Sequence, residues 1–339
     1  MITRRALGLT GAAALGLAAC GVRRDDEVAG PGEVNFSVLS GAPAQTLTPV
    51  WQPILDDMAA QTGMKVRPFF SGNYSLLVER MKARHTDVGW FSNLSGLAAV
   101  RRANGEVFAR TFEATGADGY TAILIVNARS KLTLEKVLRC DRTLSLGLGD
   151  PLSTSGTLAP MAYLFAPRGV RPDTCFKRVV AGASHQDNLA SIADGRLDVA
   201  TASSLSLLRD RQKGGHEAGQ VRTIWESKLL PEDPIIWRKD LDPAVKETLR
   251  QFFLTYGQAD TPAGALQRQR LQAVNIGGFK PADDTHLLPI REMEATEAYE
   301  FAKRGGDTQK IAEAKRSLDA ITAQREALEA RTRASAATQ

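Results

Sequence analysis

The segment Gly149-Asp150-Pro151-Leu152-Ser153-Thr154-Ser155-Gly156 decides how this chain is read. It joins a β-rich run at residues 143–148 to a helical pattern at residues 156–165. A strand-to-helix junction presents unpaired backbone N–H groups and the positive end of the helix dipole. Ser153, Thr154 and Ser155 add three hydroxyl donors, and Gly156 lets the backbone approach closely. This apparatus suits a tetrahedral oxyanion such as phosphate or phosphonate. The same residues also read as an ordinary Ser/Thr helix cap. A Walker loop is excluded, because the lysine of GxxxxGK[ST] is missing.

Outward from this loop the pattern alternates. Upstream, β-type runs at residues 34–39, 65–70 and 87–91 are separated by helical spacing at 46–61 and 74–84, and a further helix is expected at 94–103. Downstream, runs at 143–148, 176–180 and 198–202 alternate with helices at 156–165 and 187–194. Such an order predicts parallel sheet covered by helices. Two further β-rich stretches, 121–127 and 223–238, are placed to cross between two bodies. Asp242-Pro243 reads as an N-cap with proline at the first helical position. The expected fold is therefore α/β and bilobal: lobe one from residues 34–123 and 227–300, lobe two from 124–226, and a helical tail from 301 to 339. The lobes would close on a ligand between them. One large α/β enzyme has the same periodicity, so the site residues must separate the two.

Composition narrows the classes. At 339 residues, 43% hydrophobic and 24% charged, the chain is long enough for two packed cores. Its 43 basic and 38 acidic residues are scattered, with no basic stripe, so nucleic acid is not an expected partner. Four histidines and three cysteines lie too far apart for a zinc motif; no metal and no cofactor is expected.

The N-terminus reads as an export signal: Thr3-Arg4-Arg5, fourteen weakly apolar residues, then Cys20. A bilayer span needs ~20 residues. The paired arginines hint at twin-arginine export. Leu17-Ala18-Ala19-Cys20 resembles a bacterial lipobox, so residues 1–19 are the expected signal peptide, Cys20 the acylated membrane anchor and residues 20–33 a tether; a cleaved signal with an incidental cysteine is the alternative. Export puts Cys140 and Cys175 in an oxidising compartment, and each precedes a predicted strand, so a disulfide and two buried thiols are both open. In the tail, Ile311, Ala314, Leu318, Ile321 and Leu328 form a narrow stripe interrupted by Arg325. That stripe suits a homodimer through the helix or docking on the chain's own lobe.

The stretch from Asp150 to Pro160, DPLSTSGTLAP, resembles the signature of the periplasmic substrate-binding proteins of phosphonate ABC transporters. The similarity continues in Asp87–Ser95, Arg102–Ala109, Gly119-Tyr120, Leu124–Asn127, Asp198–Thr201, Ile224–Ser227 and Leu230–Lys239, covering about residues 34–300 in order. The resemblance implies a type II bilobal periplasmic binding fold with two hinge strands and no catalysis. It implies that Ser153, Thr154 and Ser155 hold the phosphonate oxygens with Tyr74 and His185, and that Tyr120 and Asp233 line the side facing the organic substituent. It also implies a permease and an ATPase as partners, a periplasmic location and a tail helix used for dimerisation. One departure stands out. Four residues after Thr201, where aminoalkylphosphonate-binding members carry a glutamate for the ammonium group, this chain has Leu205. Methyl- or ethylphosphonate, or phosphite, is therefore expected over 2-aminoethylphosphonate. His85, His216 and His286 read as non-site histidines, and Trp90 and Trp225 as core aromatics beside the cleft. A ligand-presenting sensor is the alternative function, and a hydrolase built from Ser153, His185 and Asp233 is the rival enzyme reading. GxSxG is absent.

Overall fold

The computed structural model describes residues 27–39, 44–212 and 214–336. The signal segment, Cys20 and the first half of the tether, to residue 26, lie outside the described residues. Thirteen strands are described: β1 Glu33–Leu39, β2 Lys65–Ser71, β3 Val88–Trp90, β4 Gly105–Glu113, β5 Gly119–Tyr120, β6 Ala122–Asn127, β7 Ser145–Gly149, β8 Arg178–Ala183, β9 Val199–Ser203, β10 Val221–Glu226, β11 Leu230–Pro231, β12 Pro234–Arg238 and β13 Ile276–Pro281. They form a six-stranded sheet, β13-β4-β12-β3-β1-β2, and a five-stranded sheet, β10-β6-β9-β7-β8. Between them, β5 and β11 make a short antiparallel ladder, Tyr120 opposite Leu230.

Both sheets are mixed. The β-α-β units give parallel pairs, β1 with β2 and β3 in one sheet, β7 with β8 and β9 in the other. Strands arriving from the other lobe enter antiparallel: β12 beside β3 and β4, and β6 beside β9. Ala122 and Ile123 pair with Ser203 and Ala202, so the second sheet begins at Ala122.

Each lobe buries its own apolar centre. In the first, Phe36, Trp51, Trp237 and Phe253 are almost fully buried, and the Phe108 and Trp237 rings stack at 3.8 Å. In the second, Leu124, Leu146, Phe165 and Val199 pack under the sheet. Each such side chain contributes ~1.5–3 kcal/mol by leaving water. Cys140 and Cys175 are joined by a disulfide, closing a loop of 35 residues at the edge of the second lobe.

Helix Leu288–Gly305 ends at Gly306, whose φ of 72° makes the left-handed turn, and helix Thr308–Ala336 runs back along it. Thr322 donates to Glu292 at 2.8 Å, and Arg325 pairs with Glu292 at 2.7 Å. The expected stripe, Ile311, Ala314, Leu318, Ile321 and Leu328, is half-buried, and Arg325 interrupts it because it answers a buried-side carboxylate. The side of this helix that carries Thr322 and Arg325 is bonded to Glu292 of the chain's own preceding helix. This hairpin touches both lobes. Glu294 pairs with Arg101 of lobe one at 2.8 Å, and Arg304 donates to the carbonyls of Ala166 and Pro167 of lobe two.

Candidate functional site

The loop after β7 owes its shape to its own residues. The Ser153 hydroxyl caps the following helix by accepting from the Gly156 N–H at 3.0 Å. Gly149 and Gly156 pass so closely that a Cβ on either would meet the other's Cα within 3 Å. Thr157 donates to the Asp150 carbonyl at 2.9 Å, and Thr201 donates to the Gly156 carbonyl at 2.7 Å, pinning the loop to β9. Ser153, Thr154 and Ser155 are all buried.

Facing them across the cleft is the start of helix Asn93–Arg102, capped by Ser92. The Leu94 N–H donates to the Thr154 hydroxyl at 2.9 Å, and the Ser92 hydroxyl donates to the Leu152 carbonyl at 3.1 Å. Two helix N-termini, one from each lobe, thus converge on the hydroxyl cluster. Tyr74 opens helix Tyr74–Lys82, which is capped by Asn73. Its hydroxyl engages Ser153, and burial pushes the phenol up to about 12, keeping it a neutral donor. His185 opens helix His185–Ala193, held by a Ser184–Asp187 capping box. Its Nε2 lies 3.0 Å from the Ser155 hydroxyl. Burial, then the charge of Arg209, pushes the imidazole down to about 4, so it is neutral at pH 7.

The hinge side carries the acids. Asn93 Nδ2 donates to Asp233 at 3.2 Å and to the Pro231 carbonyl at 2.7 Å, and the Tyr120 hydroxyl donates to Asp233 at 3.4 Å. Burial, then the neighbouring Glu232 carboxylate, pushes Asp233 up to about 8. Glu232 itself is raised to about 7 by burial and by Glu113. Its backbone carbonyl meets His286 Nε2 at 2.7 Å, which gives that histidine a structural partner.

The structure therefore brings together Tyr74 with Ser153, Ser155 with His185, and Tyr120 with Asp233. Leu205 is buried in the apolar cluster that includes Leu77, Phe91, Tyr120 and Leu158. Ser92, Asn93, Glu232 and Arg209 are site neighbours that sequence reasoning passed over. Asn93 had a signal, since it stands between two serines at a helix start. The hydrolase constellation is not assembled: His185 meets Ser155 rather than Ser153, its Nδ1 has no partner among the described residues, and Asp233 bonds to Asn93 and Tyr120. Among the described residues no group of three His, Cys, Asp or Glu side chains is placed to hold a metal.

Residues 36–287 match the family described as ABC transporter, phosphonate, periplasmic substrate-binding protein. The chain belongs to this phosphonate-binding family. The phosphonates-binding periplasmic protein of Escherichia coli K12 is 37% identical over 261 residues, 77% of this chain and 75% of that protein. The family fold is equally evident in solved structures. A binding protein component of an ABC phosphonate transporter from Pseudomonas aeruginosa superposes with a TM-score of 0.79 at 35% identity, covering 88% of this chain and 97% of that one. A Prochlorococcus marinus protein solved with methylphosphonate shares the fold at a TM-score of 0.69 and 18% identity, covering 78% and 97% of the two chains.

Proposed function

We propose that this phosphonate-binding family member is the extracytoplasmic receptor of an ABC importer, taking a phosphonate or phosphite oxyanion in the cleft and handing it to a permease driven by an ATPase. The observation that carries the reading is the buried Ser153-Thr154-Ser155 cluster at one helix N-terminus, met by Tyr74, His185 and the start of helix Asn93–Arg102. Hydroxyls and backbone N–H groups offer many neutral donors to a tetrahedral anion, and closing the lobes removes it from water. Tyr120 and Asp233 lie to one side, where an organic substituent would extend, and Leu205 offers that substituent apolar surface instead of a carboxylate. The arrangement supports binding without bond cleavage, because the one histidine beside a hydroxyl has no orienting acid.

Calorimetric titration with phosphite, phosphate, methylphosphonate and ethylphosphonate tests the reading. Saturable binding of at least one is expected, and the absence of heat and of thermal shift with all four overturns it.

The same reading holds the receptor in the periplasm by acylated Cys20 after export, with the paired arginines directing the twin-arginine route. A radioactive fatty acid should mark the native protein and leave Cys20→Ser unlabelled; equal labelling removes the anchor. For assembly, the bonds of Thr322 and Arg325 to Glu292 in the helical hairpin support docking within one chain in preference to a dimer.

A further inference from the structure

Arg209 lies on helix Ser204–Gln212, four residues after Leu205 and so on the same face. Leu205 stands at the position that resembles the ammonium-binding glutamate of aminoalkylphosphonate-binding members, and one turn farther on the helix carries a cation. The Arg209 guanidinium reaches to 5.9 Å from the centre of the Trp90 ring, which belongs to the other lobe. It makes no ion pair or hydrogen bond among the described residues, although its charge acts on Tyr74, His185, Glu232 and Asp233 around the cleft. Beside it, the Trp90 indole Nε1 is buried and has no acceptor among the described residues. The half-buried Arg209 guanidinium and the indole N–H of Trp90, whose ring also packs on Trp51, thus stand together near Tyr74, His185 and Asp233 with no protein acceptor among the described residues. A buried donor left unmatched is costly, and a guanidinium is suited to a planar carboxylate or a second phosphoryl group.

We propose that Arg209, with the Trp90 indole N–H, recognises a second anionic group on the ligand, so that the preferred substrate class is a phosphonate bearing a carboxylate or a further phosphoryl group on its organic arm. This rests on the reading of the cleft as a phosphonate site and refines what the arm carries. Asp233 and Glu232 do not oppose it at neutral pH as two full charges would, because the buried pair retains protons. A protonated Asp233 can donate to the incoming acceptor.

Three ligands of matched length separate the possibilities: 3-phosphonopropionate, 2-aminoethylphosphonate and propylphosphonate carry a negative, a positive and a neutral arm on one phosphonate. The native protein should bind the carboxylate at least about tenfold tighter than propylphosphonate, and the amine weakest of the three. Arg209→Gln should erase the carboxylate's advantage while changing propylphosphonate affinity by less than about threefold, and Arg209→Lys should restore part of it. Tighter binding of the amine or of propylphosphonate overturns the proposal and leaves the phosphonate reading standing. An equal loss for all three ligands in Arg209→Gln also overturns it, since Arg209 then serves only as counter-charge to Asp233 and Glu232. Binding of none of the three overturns the phosphonate reading itself.

Discussion

Thr154 is the residue on which both lobes meet. Its hydroxyl accepts the Leu94 N–H from the opposite lobe, and it sits fully buried between Ser153 and Ser155. Losing one hydrogen bond to a charged group costs ~1.5–3 kcal/mol, or roughly tenfold or more in affinity. Thr154→Ala should therefore weaken phosphonate or phosphite binding about tenfold and, by leaving the Leu94 N–H without its acceptor, lower the melting temperature as well; an unchanged dissociation constant removes Thr154 from the site. Residues of this kind were legible, because a run of three hydroxyls at a strand-to-helix junction points to an anion on local grounds. Long-range partners were not. Asp87 binds Arg238, 151 residues away, at 2.9 Å in a nearly dry site, and Asn93 reaches Pro231 across 138 residues. Nothing in the local sequence around Asp87 or Asn93 reports the partner that the fold supplies. Arg209 was passed over for the same reason, since its meaning depends on the Trp90 ring from the other lobe.

At the scale of elements, alternation placed the strands and helices in order, and the errors sit at their ends. β7 begins at Ser145 and not at residue 143, because Cys140 and Arg142 have left-handed backbone and the Asp141 carboxylate captures both the N–H and the hydroxyl of Thr143. The helix after the site loop starts at Thr154, two residues early, because Ser153 caps it. The tail forms helix Thr308–Ala336, and periodicity does not reveal which neighbour covers a stripe. Its cover is helix Leu288–Gly305, through Glu292 above all. A chain ending at Gly306 should accordingly sediment as a monomer, as the full chain should, and melt at a lower temperature. A full chain sedimenting at twice the mass of the shortened one would instead make the helix a dimer contact.

For the whole molecule, the cleft and hinge set how stability responds to pH. Asp233 and Glu232, raised to about 8 and about 7, keep protons that the unfolded chain releases near pH 4. The stability they contribute is complete below pH ~4 and is lost as pH rises through about 8. His185 and His286, lowered to about 4, act oppositely: the unfolded chain takes up protons below pH ~6.5 that the folded protein refuses, so stability falls as pH drops through that range. The two carboxyls and the two histidines have opposite slopes that cancel between about pH 4.5 and 6.5, so the melting temperature should be level there and fall from about pH 6.5 to 8; Asp233→Asn should flatten that fall, and an equally steep fall in the variant would remove Asp233 as its source. The helical hairpin has a further consequence for this two-lobed body. It grips lobe one through Arg101–Glu294 and lobe two through Arg304 on the carbonyls of Ala166 and Pro167. If opening parts the lobes here it releases one grip, and Arg304 then favours the closed form; a receptor already closed surrenders less of its binding energy to conformational change. Arg304→Ala should therefore loosen every ligand by one common factor, whatever its substituent, in the same titrations; a ligand-dependent factor would separate Arg304 from that balance. Such a common factor would mean that the affinity of the cleft is set in part by a residue on a helix that never meets the ligand.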